Sequence, residues 1–377
     1  MPKVTVDGAV PKKKKLSAAA DESRPLKRKK LRLAERVGVN TDEIVPGAAA
    51  PPAAAAASAT AAAAPSPPPK PAGRPWTVTL ALPGSIADNA QSHELRSYLV
   101  GQVARAAAIF NVDEIVIFQT ESASAGARTA PGGAPRTDGC VFMARLLQYL
   151  ECPQYLRRQI FPMHPDLRFV GLLAPLDAPH HLRIDEECAY REGVVSEREA
   201  KGGGSLVYTG LRKEQKIDRT IEKGTRVTVR LPCDAHPGHG VAVAPREPRE
   251  AAGMYWGYSV RLAESIEAVW SGCPYEGGYD MSIGTSEHGT NALDEPSFAL
   301  PRFDHLLVVF GGVEGLEPAV AAEENLAAAG VHDPASLFDH YLNLCPRQGS
   351  RTIRSEEAVL VGMAALRPHV ERAQAVR

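Results

Sequence analysis

The feature that most restricts this chain is a run of three segments near residue 100. TVTLALP (77–83) and DEIVIF (113–118) are short apolar, β-branched stretches, and SHELRSYLVGQVARAAAIF (92–110) lies between them. In the middle segment Leu95, Leu99, Val103, Ala106 and Phe110 recur at helical spacing, and Ser92 stands where an N-cap is wanted. Strand, helix and strand joined by short links make a βαβ unit. Such a unit needs a parallel sheet, a right-handed crossover and helices covering both faces, so the class is α/β.

The pattern returns later in the chain. A Gly/Ala/Thr-rich loop (119–137) leads to a helix over 139–151, and Pro153 starts another. MYWGYSVRLAESIEAVWSG (254–272) reads as one helix, with Tyr255, Leu262, Ile266 and Val269 on a shared face. YDMSIGTS (279–286), HLLVVFGG (305–312) and YLNLCP (341–346) read as strands, and SEEAVLVGMAALRP as a closing helix that Pro368 ends. Residues 201–250 have another character. Lys201-Gly202-Gly203-Gly204 opens a joint, and SLVYTGL, GTRVTVRL and GVAVAP follow as short β runs, a pattern that predicts a small OB-like β-barrel set into the α/β domain. The expected divisions are a tail (1–73), a first α/β half (74–200), the β insert (201–250) and a second half (251–377).

Charge separates the tail from the body. Residues 1–46 hold 12 Lys/Arg against 6 Asp/Glu, while the remainder holds 31 against 38. Any affinity of the body for nucleic acid must then come from local patches. Behind the basic segment an Ala/Pro tract runs to Gly73, too poor in bulky apolar side chains to offset its ordering entropy, so disorder is expected over 1–73. The clusters Lys12, Lys13, Lys14, Lys15 and Lys27, Arg28, Lys29, Lys30 form a two-part pattern that import factors read, which places the protein in the nucleus, the nucleolus included, with a cytoplasmic or spindle pool left open. No uninterrupted apolar run reaches the roughly 20 residues a membrane span needs, so no membrane is expected. Six cysteines without a CxxC pair suggest a reducing compartment and no zinc site. The pair His180-His181 offers no third ligand at useful spacing, so metal is expected to be none.

Three strand ends carry glycines: IGTSEHG (283–289), FGGVEGLE (310–317) and CPRQGSRTIRSEEA (345–358). In open α/β sheets ligands bind at the carboxyl edge, where glycine lets backbone groups come close. None of the three is a P-loop or a GxGxxG helix opening, which argues against a nucleoside triphosphate. The third raises a separate question. Ser355 can cap the last helix, and Glu356 and Glu357 suit its positive end. Gly349, Arg351 and Arg354 have no such explanation.

FGGVEGLE followed by GSRTIRSEEA resembles the knotted carboxyl half of SPOUT methyltransferases, in particular the bacterial rRNA uridine-N3 group. Gly312, Glu314 and Gly315 fall on the first motif, and Gly349, Arg351, Arg354, Glu356 and Ala358 on the second. More widely, RPWTVTLALPGSIADNAQS, QYLECPQYLR, PLDAPHH, GMYWGY, IGTSEHG and CPRQGSRTIR resemble the eukaryotic and archaeal SPOUT domain-containing RNA methyltransferases over roughly 74–367. Val313 and Leu316 depart from the bacterial motif, and the close group is expected to carry Arg where His288 stands. The resemblance implies a trefoil knot, a homodimer through the knot helices, and S-adenosyl-L-methionine bound among the three loops. The cofactor residues it implies are Ile283, Gly284, Thr285, Ser286, Gly311, Gly312, Glu314, Leu344, Cys345, Gln348, Gly349, Arg351 and Thr352. Arg351, Arg354 and Glu356 are the expected catalytic set.

Two functions follow from this. One is an enzyme that methylates uridine N3 of rRNA, with Arg351 or Arg354 stabilising the base as its N3 proton leaves. Arg212, Lys213 and Lys216 of the insert would then hold phosphates, and Tyr208 would stack a base. The other is an RNA-binding or spindle and centromere scaffold that keeps a cofactor pocket.

Overall fold

The computed structural model describes residues 73–120, 137–200, 202–231 and 238–375, and their elements follow in chain order. They are β1 (Thr77–Pro83), α1 (His93–Ile109), β2 (Glu114–Phe118), α2 (Gly139–Glu151), α3 (Gln154–Ile160), β3 (Tyr190–Glu199), β4 (Ser205–Tyr208), β5 (Gln215–Ile217), β6 (Arg226–Arg230), β7 (His239–Val243) and α4 (Glu247–Ala252). After these come β8 (Ser259–Ala263), α5 (Glu267–Ser271), β9 (Met281–Thr290), β10 (His305–Val309), α6 (Glu317–Ala321), α7 (Glu324–Ala328), β11 (His340–Leu342) and α8 (Ser355–Ala375). The tail expected to be disordered and to carry the import clusters, and most of the loop 119–137, lie outside the described residues.

Six strands form one sheet in the order β11-β9-β10-β1-β2-β8, all parallel. Every residue of β1 and β2 is buried, as expected of strands covered on both faces. Leu80 and Leu82 point into a core shared with α1, α2 and α8, and Ala81 points into a second core with Ile266, Leu316 and Val320. The predicted βαβ unit is observed. Ser92 Oγ accepts from Leu95 N at 3.2 Å, and Asn111 turns the chain into β2 with φ 54°. Leu95 departs from expectation, because it and Tyr98 leave 54% and 56% of their surface exposed. Among the described residues no helix is long and apolar enough to cross a membrane.

The predicted helix over 254–272 is instead an extended segment, the edge strand β8 and the short α5. Gly257 accounts for the break: its φ is 87°, and a Cβ there would stand 2.3 Å from Glu151 Oε1. Beyond it the side chains alternate. Val260 and Leu262 pack on the first core and Ala263 on the second. Tyr255, Ile266 and Val269 are buried as predicted, but from separate elements. Pro368 does not end the last helix, since α8 runs through it to Ala375. Pro368 and Ala364 both face solvent, so the carbonyl that lost its donor can bond water. Beyond them Val370 and Ala373 are buried, and Gln374 Nε2 donates to Phe303 O at 2.8 Å.

The insert is a closed barrel in the order β3-β4-β5-β7-β6. Its first strand is β3, from Tyr190, so the barrel begins before the glycines at which the sequence placed its start. Val195, Val207, Ile217 and Val229 fill its interior. Tyr208, expected to stack a base, is half-buried and packs edge-on against Tyr155 of α3 with ring centroids 6.5 Å apart.

Candidate active site at the carboxyl edge of the sheet

The ends of β9, β10 and β11 and the start of α8 enclose a cavity of about 360 Å³. Each wall is fixed by a different local device. The stretch read as a glycine loop, 283–289, is strand. β9 continues to Thr290 because β11 pairs alongside it, Asn343 N donates to Thr290 O at 2.9 Å, and Asn343 Nδ2 donates to Glu287 O at 2.9 Å. Gly289 permits this closeness, since a Cβ there would lie 2.4 Å from the Leu342 carbonyl carbon. Thr285 Oγ1 donates to Val309 O at 3.0 Å and joins β9 to β10.

Past β10 the chain turns tightly. Gly312 N donates to Gly315 O at 3.0 Å and Gly315 N to Gly312 O at 3.2 Å, with Val313 and Glu314 at the tip and Gly315 at φ 79°. The two departures from the bacterial motif explain themselves here. Val313 is 77% exposed and carries no packing, whereas Leu316 is fully buried and anchors the turn to α6. A Cβ on Gly311 would come within 2.6 Å of the Gly315 carbonyl carbon, so that position admits only glycine.

The third wall is the chain from Asn343 to α8. Asn343 Oδ1 accepts from Cys345 N at 3.0 Å, and Arg347 turns with φ 59°. Ser355 was expected to cap α8. It is instead the first helical residue, buried, and its Oγ donates to Gly311 O at 3.0 Å, tying the helix to the β10 turn. The cap is made by neighbours: Arg354 O accepts from Ala358 N at 2.7 Å, and Glu357 Oε2 accepts from Arg354 N at 3.0 Å. Gly362 lies at the floor, where a Cβ would stand 2.5 Å from Leu344 Cδ1.

Of the residues expected at the cofactor, Thr285, Ser286, Gly311, Gly312, Glu314, Leu344, Cys345, Gln348 and Thr352 line the cavity. Ile283 and Gly284 lie deeper in β9: Ile283 is core, and a Cβ on Gly284 would sit 2.4 Å from the Phe338 ring. Gly349 and Arg351 are exposed on the same loop outside the lining, and nothing stands within 4 Å of a Cβ built on Gly349. The expected catalytic residues also lie outside it. The Arg354 side chain is 78% exposed and 3.9 Å from Glu356 Oε1, while Glu356 is buried. Glu287, His288, Phe310, Val313, Gly315, Glu317, Ile353, Ser355 and Ala358 line the cavity too, all within the three stretches the sequence singled out, whereas Asn343, Val361 and Gly362 lie outside them and were missed. Only Gly362 gave a signal, a glycine in a helical run where close packing is the usual cause.

Chemically the cavity lining is mixed. Phe310, Leu344, Ala358 and Val361 are apolar, and Ser286, Asn343, Gln348 and Thr352 with the backbone of Gly311 and Gly312 are polar. Glu287, His288, Glu314 and Glu317 are its ionisable side chains besides Cys345, and among the described residues no Lys or Arg lines it. The His180-His181 pair stands elsewhere. Both Nε2 atoms donate to Glu151 O, at 2.9 and 2.7 Å, and no group of three or more potential metal ligands occurs among the described residues.

Residues 77–366 match the family model described as "Putative RNA methyltransferase", and the chain belongs to that family. Its parallel sheet and inserted barrel are the α/β class the resemblance implied. Particular relatives are similar over most of their length. A Homo sapiens protein named 28S rRNA (uridine-N(3))-methyltransferase is 54% identical over 312 residues, 80% of this chain and 81% of its own. A Drosophila melanogaster protein of the same name is 47% identical over 309 residues, 79% of this chain and 63% of its own. A Caenorhabditis elegans protein named "Putative methyltransferase spot-1" is 37% identical over 323 residues, 80% of this chain and 83% of its own.

Proposed function

We propose that this protein transfers a methyl group from S-adenosyl-L-methionine to N3 of a uridine in large-subunit rRNA. The observation that carries the reading is the cavity with its mixed apolar and polar lining at the carboxyl edge of the sheet, in a chain about half identical to proteins named for that reaction. The donor set fits the cofactor. Leu344, Phe310 and Ala358 suit a purine face, and the backbone of Gly311 and Gly312 with Gln348 and Thr352 suits the ring nitrogens and ribose hydroxyls. Bound there, the cofactor supplies an electrophilic methyl on a sulfonium. The protein's part is orientation and electrostatics. Arg351 and Arg354, exposed on the loop beside the cavity, face the target base and stabilise the negative charge N3 gains as its proton leaves. A guanidinium has donors and no acceptor, so the N3 proton passes to solvent water, while the sulfonium, having lost its methyl, is left as S-adenosylhomocysteine.

In this reading Arg212 and Lys213, exposed on the barrel, and Lys216 hold RNA phosphates. Leu95 and Tyr98 of α1 and Leu360 and Val361 of α8 are exposed apolar side chains, and they form the face of a homodimer. Val361 also lines the cavity, so a partner subunit would help close it. The chain passage from Asn343 to Ser355 is where the knot is threaded. The two basic clusters of the tail direct nuclear import. A scaffold without catalysis is not favoured, because the cavity is retained together with its glycines. Nucleoside mass spectrometry of rRNA from cells with and without the protein should show loss of 3-methyluridine at one site. An unchanged 3-methyluridine level would end the proposal.

A further inference from the structure

The barrel meets the α/β body through a small joint that shares no residue with the cavity. Its apolar part is Cys152, Leu156 and Val194, with Ile160 and the rings of Tyr155, Phe161 and Tyr208 at the edge, and the buried rings of Tyr190 and Trp256 at 5.9 Å. Its centre is ionic. Arg226 of β6 donates twice to Glu151 at the end of α2, Nη1 to Oε2 at 2.6 Å and Nη2 to Oε1 at 2.9 Å, and once through Nε to Glu192 Oε2 of β3 at 2.7 Å. The other Glu192 oxygen accepts from Thr228 Oγ1 at 2.6 Å and from Trp256 Nε1, ahead of β8, at 2.6 Å. Glu192 and Thr228 are direct partners across β3 and β6, so one lattice clamps two barrel strands to two elements of the body. Glu151 and Glu192 are 8% and 5% exposed.

Buried ion lattices add little net stability compared with apolar packing of the same volume, but their bonds are directional. Beside the Tyr190–Trp256 ring pair at 5.9 Å and Tyr155 Oη donating to Glu192 O at 2.9 Å, it is these directional bonds that join both barrel strands to the body and set the barrel's angle. We propose that Arg226 is a positioning residue, which fixes the angle at which the barrel presents bound RNA to the cavity. This rests on the reading that the barrel holds RNA. A planar fork is required, because a lysine reaches only one carboxylate at a time.

The test uses the full chain with site-specific probes at the exposed positions Glu222 of the barrel and Ala364 of α8, and compares wild type with R226K, and with E151Q should R226K fold poorly. Affinity for S-adenosylhomocysteine and for substrate RNA should hold, the probe distance distribution should broaden, and single-turnover methylation should fall by about tenfold or more, as expected of a small misplacement. A broadened distribution with an unchanged rate overturns the proposal. So does a reduced rate with an unchanged distribution, because Arg226 would then act on RNA or fold directly. Arg212→Glu with Lys213→Glu separates the two layers. Unchanged RNA affinity there removes the barrel from RNA binding and this proposal with it, whereas weakened RNA affinity beside a wild-type rate in R226K removes the positioning role alone.

Discussion

The joint and the cavity lip are both rich in charge and use it in opposite ways. At the joint, each carboxylate oxygen of Glu151 and Glu192 has a donor within hydrogen-bond distance and little access to water. Burial by itself would raise the Glu151 carboxyl, yet Arg226 and His180 hold it well below the usual carboxylate range. At the lip, Arg354 is 78% exposed with one carboxylate at 3.9 Å, and Arg351 is exposed. Saturated buried charge fixes geometry, while charge held at the surface beside a cavity is left for a ligand. With its arginine this exposed and 3.9 Å from the carboxylate, the Arg354–Glu356 pair contributes about 0–1 kcal/mol, too little to explain the arginine by stability.

The comparison can be broken first at the joint. Glu151→Ala leaves the Arg226 guanidinium without its bidentate partner and should cost about 3–5 kcal/mol in urea denaturation. A loss below about 1 kcal/mol would show that the barrel does not depend on the lattice.

A smaller effect is expected from pH. Burial, with His180 beside it, lowers the His181 imidazole to about 4 from an ordinary 6.5. The unfolded chain therefore binds more protons between these values, so stability is full above pH 6.5 and falls as pH drops toward 4, by at most about 3 kcal/mol. His181→Asn should flatten the stability profile in that window, and an unaltered slope would place the acid sensitivity elsewhere.

At the lip the prediction reverses. Gly349→Val has open space for its side chain, so stability should shift by no more than about 0.5 kcal/mol. Calorimetry with S-adenosylhomocysteine should nevertheless show binding lost. Retained affinity would take the 349 loop out of the cofactor site. The smallest stability change is expected for Arg354→Ala, within about 0.5 kcal/mol. Its methylation rate should fall far more than its cofactor affinity, and Arg354→Lys should rescue it poorly. Equal losses of rate and affinity would assign Arg354 to binding, and a near-normal rate would leave Arg351 as the better candidate.

Much of the site was legible because glycine marks close backbone approach, and close approach at strand ends marks a cavity. Gly311, Gly312 and Gly315 stand at the β10 turn for that reason. What the pattern could not supply was depth. Ile283 and Gly284 belong to the same strand as Thr285 and Ser286, but only the latter pair reaches the opening. Nor could it show that 283–289 is strand, because the bonds that make it so come from Asn343, 56 residues from Glu287.

The sequence by itself determined β1, α1 and β2, the Ser92 cap, and the glycine turn after β10, because periodicity, capping and left-handed backbone are settled within a few residues. Tertiary structure decided the rest. Residues 259–263 became a strand because β2 offered an open edge, and α8 passed Pro368 because Val370 and Ala373 had a core to fill. Ser355 turned from its helix to Gly311, 44 residues away, and Arg226 found Glu151 at a separation of 75. Contacts at such distances follow from how the sheet is ordered and where the barrel is inserted, and no local pattern of side chains encodes them.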